Sequence, residues 1–265
     1  MPVIASFNVN SLRARLIHVL DWLKTAKPDV ALLQEIKCQD HDMPIMEIEE
    51  LGYNTAVCGQ KSYNGVAILS RSPLHIERRG LPNNGDDDQA RYIEAVIDNP
   101  EGKRHKAFRV ASIYVPNGNP VGTEKYPYKL RFMERLAGHA RQLLALEEPV
   151  VLGGDYNVAP ADIDVYDPVA WRDDALCLPE TRAKFRTLLH AGYVDALRAM
   201  DPASVRYTFW DYQQGRWQHD QGLRIDHLLL SPQAADRLSE CAVDRAPRAG
   251  IKPSDHTPIW CRLDL

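Results

Sequence analysis

The sequence predicts an α/β fold with sheets inside and helices outside. Short continuous apolar runs end in polar residues, as interior strands do, and amphipathic helical patterns fall between them. No internal repeat, low-complexity tract or Pro/Gly/Ser-rich linker divides the 265 residues, so one domain over 1–265 is expected.

The elements follow in chain order. VIASFNV (3–9) partly alternates apolar and polar positions, as a strand with two differently packed faces does. Leu12, Leu16, Val19, Leu20 and Leu23 then repeat at three- and four-residue steps behind Ser11, a candidate helix cap. VALLQE (30–35) and GVAILS (65–70) are the next strands. LPNNGDDDQ (81–89) is turn-rich and acidic, hence an exposed loop whose adjacent aspartates diverge rather than form a metal site. FRVASIYV (108–115) is another two-faced strand. Leu130, Met133, Leu136, Ala140, Leu143 and Leu144 mark a second helix. VVLGGD (150–155) is a strand, and Phe185, Leu188 and Leu189 belong to a helix ending at Gly192. The irregular WDYQQGRWQHDQG (210–222) carries three aromatics, which suits a site or contact surface better than a spacer. DHLLLS (226–231) and TPIWCRL (257–263) complete the strands.

With 45% hydrophobic residues the chain can bury a substantial core. No apolar run approaches the roughly 18 residues of a membrane span. MPVIASFN has neither a basic leader nor a small-residue cleavage site, so the expected location is the cytoplasm, with no membrane partner. The five cysteines are scattered without a C-x-x-C pair and are expected to be reduced, structural thiols. A net charge of −4 argues mildly against a polyanionic partner, unless an acidic cluster serves a metal and the 32 Lys and Arg are segregated elsewhere.

Polar residues recur at the ends of the apolar runs. Asn8 ends the first strand, Glu35 the second, and Tyr114 lies near the end of another. Asp155 and Asn157 follow VVLGG, Asp226 opens DHLLLS, and Asp255 with His256 precedes the last strand. Each alone has a structural explanation as a surface acid, turn residue or satisfied core phenol. Jointly they would meet in one cleft at one rim of a sheet sandwich. Ser254, Asp255 and His256 are the residue types of a serine triad, but consecutive side chains cannot converge as one. G-x-S-x-G, H-E-x-x-H and the P-loop pattern are absent. Oxygen ligands with a single histidine suit Mg²⁺ or Mn²⁺ better than Zn²⁺. With amide donors they suggest attack of water on a phosphodiester.

Asn8 in FNVNSLR, Glu35 in LLQEIK, Tyr114 in YVPNG, then GDYNVAP, RIDHLLLS and SDHTPIW occur in this order across the whole chain. The sequence thereby resembles the exonuclease III family of bacterial abasic-site (AP) endonucleases, within the endonuclease/exonuclease/phosphatase superfamily. The resemblance implies a four-layer α/β sandwich, two packed mixed β-sheets flanked by helices. It implies a Mg²⁺-dependent (or Mn²⁺-dependent) monomeric enzyme that cuts double-stranded DNA 5′ to abasic sites, leaves a 3′-hydroxyl and trims 3′ ends. Glu35 would be the direct metal ligand with Asn8 beside it, and Asp155, Asn157, Asp255 and His256 would complete the metal surroundings. Asp155 would orient or deprotonate the attacking water, and Asn157 would hold that water or a phosphate oxygen. His256, oriented by Asp226, would donate to a phosphate oxygen, and Tyr114 would stand near the scissile phosphate. The chain departs from the family pattern with Asp220 where Asn is usual and Asn117 where Gln is frequent. Asn117 remains a candidate substrate contact. Trp210, Tyr212 and Trp217 are candidates to pack against an abasic sugar, with core packing of an indole the alternative. Action on inositol phosphates or phospholipids would use the same catalytic residues, and a catalytically dead DNA-binding scaffold is the third reading.

Within VVLGGDYNVAP, a backbone extended through Asn157 would point Asp155 and Asn157 into the cleft and Tyr156 away from it. Gly153 and Gly154 would let neighbouring strands approach closely.

Overall fold

All seven runs expected to be strands are strands, because each supplies a row of apolar side chains to one layer of a stacked core. The computed structural model describes residues 1–83, 85, 87–98 and 107–265. In chain order the elements are β1 (Val3–Asn8), α1 (Leu16–Ala26), β2 (Val30–Gln34), α2 (Ile45–Glu49), β3 (Asn54–Cys58), β4 (Val66–Ser70), β5 (Leu74–Arg79) and β6 (Tyr92–Ile97). Then come β7 (Phe108–Tyr114), α3 (Lys125–Leu144), β8 (Val150–Asp155), α4 (Pro179–Ala191), β9 (Val194–Asp195) and α5 (Ala196–Met200). β10 (Asp226–Leu230), α6 (Pro232–Ala235), β11 (Leu238–Val243) and β12 (Ile259–Leu263) follow.

Two six-stranded mixed sheets result, in the orders β11-β12-β1-β2-β4-β3 and β5-β6-β7-β8-β10-β9. The β1/β2 and β7/β8 pairs are parallel and the other pairs antiparallel. Between the sheets, Ile4, Leu32 and Ile68 meet Val110, Val151 and Leu228. Val19, Trp22 and Leu23 of α1 and Ile48 of α2 cover the outer face of the first sheet against Phe7 and Leu33. On the second sheet Phe132 and Leu136 of α3 and Phe185 and Leu188 of α4 cover Leu152 and Tyr156. Each fully buried large apolar side chain contributes roughly 1.5–3 kcal/mol relative to exposure. Helix, sheet, sheet, helix is the expected four-layer arrangement.

The strand period of two makes the site a continuation of this core. Ile4, Ser6 and Asn8 share the inner face of β1, Val110, Ser112 and Tyr114 that of β7, and Val151, Gly153 and Asp155 that of β8. The parallel pairs carry Asn8, Gln34, Tyr114 and Asp155 to one rim, and antiparallel β10 brings Asp226 opposite Asp155. Immediately below, a buried polar bridge joins the sheets: the Ser6 hydroxyl donates to Gln34 Oε1 (3.3 Å), and Gln34 Nε2 donates to the Ser112 hydroxyl (2.9 Å). The Ser112 hydroxyl donates in turn to the Leu33 carbonyl (2.8 Å). This fixes the two rims relative to each other.

Gly153 and Gly154 do permit close approach. A Cβ at Gly153 would stand 2.5 Å from Leu32 Cδ1 and 2.8 Å from Leu228 Cδ2, whereas at Gly154 it would press into the Ile113 backbone carbonyl. Gly153→Ala, meeting flexible side-chain ends, is expected to cost about 1–3 kcal/mol. Gly154→Ala must move a paired strand and should cost more. Urea midpoints of the two variants test this order; a wild-type midpoint for Gly154→Ala would refute the close approach.

β3, β5, β6, β9 and β11 are additional to the strands expected from sequence. β5 and β3 are edge strands with exposed positions, and β9 has only two residues. α2, α5 and α6 have five or four residues, too few for a helical period to register. Ser11 Oγ accepts from the Ala14 N–H (3.4 Å) in the turn Arg13–Arg15 rather than capping α1, which starts at Leu16. In the acidic loop, Asn84 and Asp86 lie outside the described residues. Asp87 is not freely solvated: it accepts from the Tyr128 hydroxyl (2.9 Å) and Arg135 (2.8 Å). Among the described residues no helix is long and apolar enough to cross a membrane.

Candidate active site

The rim residues are presented by abrupt departures from extended backbone. Directly after β2, Glu35 takes a left-handed conformation (φ +50°), unfavourable for a non-glycine residue. It is held there because its carbonyl accepts from the Ser11 N–H (2.7 Å) and the next N–H donates to Gly65 (3.1 Å). Asn157 is also left-handed (φ +49°), a conformation asparagine tolerates. The expectation of an extended chain through Asn157 therefore fails. Instead Asp155 Oδ1 accepts from the Asn157 N–H (2.9 Å), closing a turn at the strand end. Tyr156 nevertheless points away, fully buried against Phe185 and His227, with its hydroxyl donating to the Leu152 carbonyl (3.0 Å).

Glu35, Asp155 and His256 bring one potential ligand atom each to within 4.8 Å of one another. Asn8, wholly buried, donates from Nδ2 to Glu35 Oε1 (2.8 Å) and to Asp155 Oδ2 (2.9 Å). Its own oxygen accepts from the Asn10 N–H (3.0 Å). Asn8 thus clamps the two carboxylates together. Lys37, not singled out from sequence, pairs with Glu35 Oε2 (2.8 Å) and donates to Asn10 Oδ1 (2.6 Å). Burial alone would raise the Glu35 carboxyl, but Lys37, Asn8 and His256 outweigh it and hold the acid below its usual range. For Asp155 burial wins, helped by Asp226 and Glu35 against the opposing His256, and its carboxyl rises to about 7.

His256 Nδ1 lies 2.8 Å from Asp226 Oδ2, and its Nε2 lies 3.7 Å from Asp155 Oδ2. Burial pulls the imidazole down, but Asp226 and Asp155 overcome this and raise it to about 10. A cationic imidazole donates hydrogen bonds and does not ligate a metal. The charged imidazole of His256 fits the donor role. Asp226 is itself anchored by the Thr208 hydroxyl, which accepts from its N–H (3.1 Å), while its Oδ1 is buried without a hydrogen-bond partner among the described residues. Phe209, another residue missed from sequence, lays its ring edge-on to His256 at 5.0 Å.

The remaining expected residues separate. Tyr114 adjoins Asp155 across the β7/β8 pair, and burial together with Glu35 and Asp155 keeps its hydroxyl protonated. Asn157 has both ends of its amide engaged: Nδ2 donates to the Val115 carbonyl (2.9 Å), and Oδ1 accepts from Asn117 Nδ2 (3.0 Å). Its carbonyl, with those of Asn117 and Ala175, accepts from the buried Lys129 ammonium at 2.6–3.0 Å. Asp255 Oδ1 accepts from Asn10 Nδ2 (2.9 Å), outside the three-residue cluster. Trp210 cannot meet a sugar: it is 0% exposed, with its Nε1 donating to Asp220 Oδ1 (3.1 Å). Trp217 packs edge-on to it at 4.8 Å and carries the guanidinium groups of Arg245 and Arg248 at 4.8 and 5.5 Å. Tyr212 is exposed, its hydroxyl linked to Arg15 (2.8 Å) and the Pro253 carbonyl (2.8 Å). Asp220 thus serves the loop itself, pairing with Arg245 (2.9 Å).

Both the fold and the sequence of this chain are found again in known proteins. The pattern of the Endonuclease/Exonuclease/phosphatase family matches residues 5–256, and the chain belongs to that family. More narrowly, it is 35% identical to exodeoxyribonuclease III of Haemophilus influenzae, covering 97% of this chain and 98% of that protein. Among solved structures, an AP endonuclease from Archaeoglobus fulgidus matches with a TM-score of 0.93 and 36% identity over 100% of both chains. A 3′ phosphatase from Neisseria, bound to a product DNA hairpin, matches with a TM-score of 0.93 and 37% identity, again over 100% of both.

Proposed function

We propose that this chain is a divalent-metal-dependent DNA repair phosphodiesterase that hydrolyses the backbone 5′ to abasic sites, leaving a 3′-hydroxyl, and trims 3′ ends. The observation that carries the reading is the cluster of Glu35, Asp155 and His256, tied together by Asn8 and Asp226 at one rim. The whole 1–265 span acts as one catalytic domain, since both sheets supply the site, and its completeness within one chain supports action as a monomer.

Glu35 and Asp155 fit a hard cation: two carboxylates converge where burial and the nearby Asp226 leave negative charge in excess. Mg²⁺, or Mn²⁺, held by Glu35 with Asp155 beside it, would neutralise phosphate oxygens in the transition state. Asp155 takes the proton of the attacking water, its orientation set by Asn8 on one oxygen and the Asn157 N–H on the other. His256 donates from Nε2 to a phosphate oxygen, and Asp226 keeps the imidazole charged and aimed. Tyr114 donates its phenolic proton toward the same phosphate. Phe209 offers an apolar wall beside His256 suited to a sugar without a base. Arg15, Lys37 and Arg91 stand around this rim, which supports a local basic surface despite the net charge of −4.

The test is a Mg²⁺ assay on three end-labelled duplexes carrying an internal abasic analogue, a recessed 3′-hydroxyl or a 3′-phosphate. Cleavage on the first and trimming of the others are expected, all abolished by EDTA and restored by Mg²⁺. Metal-independent incision, or no turnover on any substrate, would sink the proposal.

A further inference from the structure

Arg91 immediately precedes β6. Its carbonyl accepts from the Tyr114 N–H (2.8 Å), and its NH1 donates to the Tyr114 carbonyl (3.4 Å). The guanidinium lies 4.7 Å from the centre of the Tyr114 ring. Arg91 thus grips one residue by both backbone polar groups and by the face of its side chain. The guanidinium is steadied in turn by Nε donating to Gln89 Oε1 (2.8 Å), with the Tyr128 ring 6.0 Å away. Nearby Arg135, by contrast, pairs with a carboxylate, Asp87.

We propose that Arg91 is a positioning residue for Tyr114: it fixes the plane of the phenol and aims the hydroxyl at the reacting phosphate. The inference rests on the catalytic reading of Tyr114 given above. A tyrosine ring has two side-chain torsions, and a cation seated on one face removes the freedom to swing out of the cleft. The positive charge also draws electron density from the ring, which makes the phenol a better hydrogen-bond donor. Both effects matter when the phosphate is in place, so they act on the chemical step more than on DNA affinity.

The test is a double-mutant cycle of Arg91→Gln and Tyr114→Phe, read as kcat and KM on the abasic duplex, with thermal midpoints to confirm folding. Arg91→Gln is expected to lower kcat about tenfold at nearly unchanged KM. In the Tyr114→Phe background the same change should have almost no further effect, because the hydroxyl it positions is gone. Gln89→Leu, which frees the guanidinium without touching the tyrosine, should give a smaller loss of kcat in the same direction. A raised KM with a shallower salt dependence, additive with Tyr114→Phe, would make Arg91 a direct phosphate contact and overturn the inference. A wild-type kcat in Arg91→Gln while Tyr114→Phe is impaired would overturn it alone. A wild-type kcat in Tyr114→Phe would overturn the reading of Tyr114 and the inference with it.

Discussion

Replacing Asp155 by asparagine is expected to lower kcat by about 10³-fold with duplex binding retained, the range for losing a positioned acid–base group. The reason lies in what each carboxylate oxygen accepts. Oδ1 takes the Asn157 N–H and can go on doing so as an amide oxygen, whereas Oδ2 takes Asn8 Nδ2 and faces His256 Nε2. In the variant an NH₂ group confronts a donor on both sides, and nothing remains to accept the proton of water. Rate and affinity separate in this test: single-turnover cleavage should collapse while a gel-shift titration with abasic duplex stays near wild type. Equal loss of both would mean that the variant had merely disrupted the fold. The wild-type rate should also climb as pH rises through about 7, where burial, Asp226 and Glu35 hold the Asp155 carboxyl against the pull of His256. The active form is the anion, so raising the Mg²⁺ concentration should shift this ascending limb to lower pH.

Asp226→Asn should cost about 10²- to 10³-fold in kcat, comparable to removing a preorganised donor to a developing oxyanion. Asp226 touches no reacting atom; it acts through His256, whose Nδ1 it meets at 2.8 Å. An asparagine oxygen can still accept from Nδ1, but the charge that favours imidazolium is lost. The amide NH₂ then falls where Oδ1 is already buried with no hydrogen-bond partner among the described residues. Burial lowers the His256 pKa and Asp226 is the largest opposing influence, so removing the carboxylate lowers it from about 10. The cation is the active donor, and activity is lost as pH rises through this pKa. The descending limb of the pH–rate profile should therefore move to lower pH in Asp226→Asn. A limb that stays in place would show that His256 does not need Asp226 for its charge.

The sequence by itself determined the strands that build the site and which of their residues could reach it. Alternation along VIASFN and FRVASIY puts Asn8 and Tyr114 in phase with Ile4 and Val110, which face the space between the sheets. Local rules of this kind depend only on neighbours in the chain, so they are legible there. The order of the six motifs likewise carried the family resemblance. Other features depended on residues far apart in sequence. Asn8 and Asp155 are 147 positions apart, and only in three dimensions does the amide show itself clamping the acids. Trp210 and Phe209 are adjacent aromatics in one loop, and nothing local distinguishes the one sealed by Asp220 from the one laid against His256. Glu35 and Asn157 turn left-handed where extension was the simpler expectation, because hydrogen bonds within the folded rim hold them there. Lys37, Arg91 and Lys129 are ordinary surface-type residues in sequence, and the tertiary structure gave them an acid, an aromatic ring and three carbonyls as partners. A charged side chain takes its role from the groups that desolvate and face it, and only the packing of the two sheets and their loops decides which groups those are.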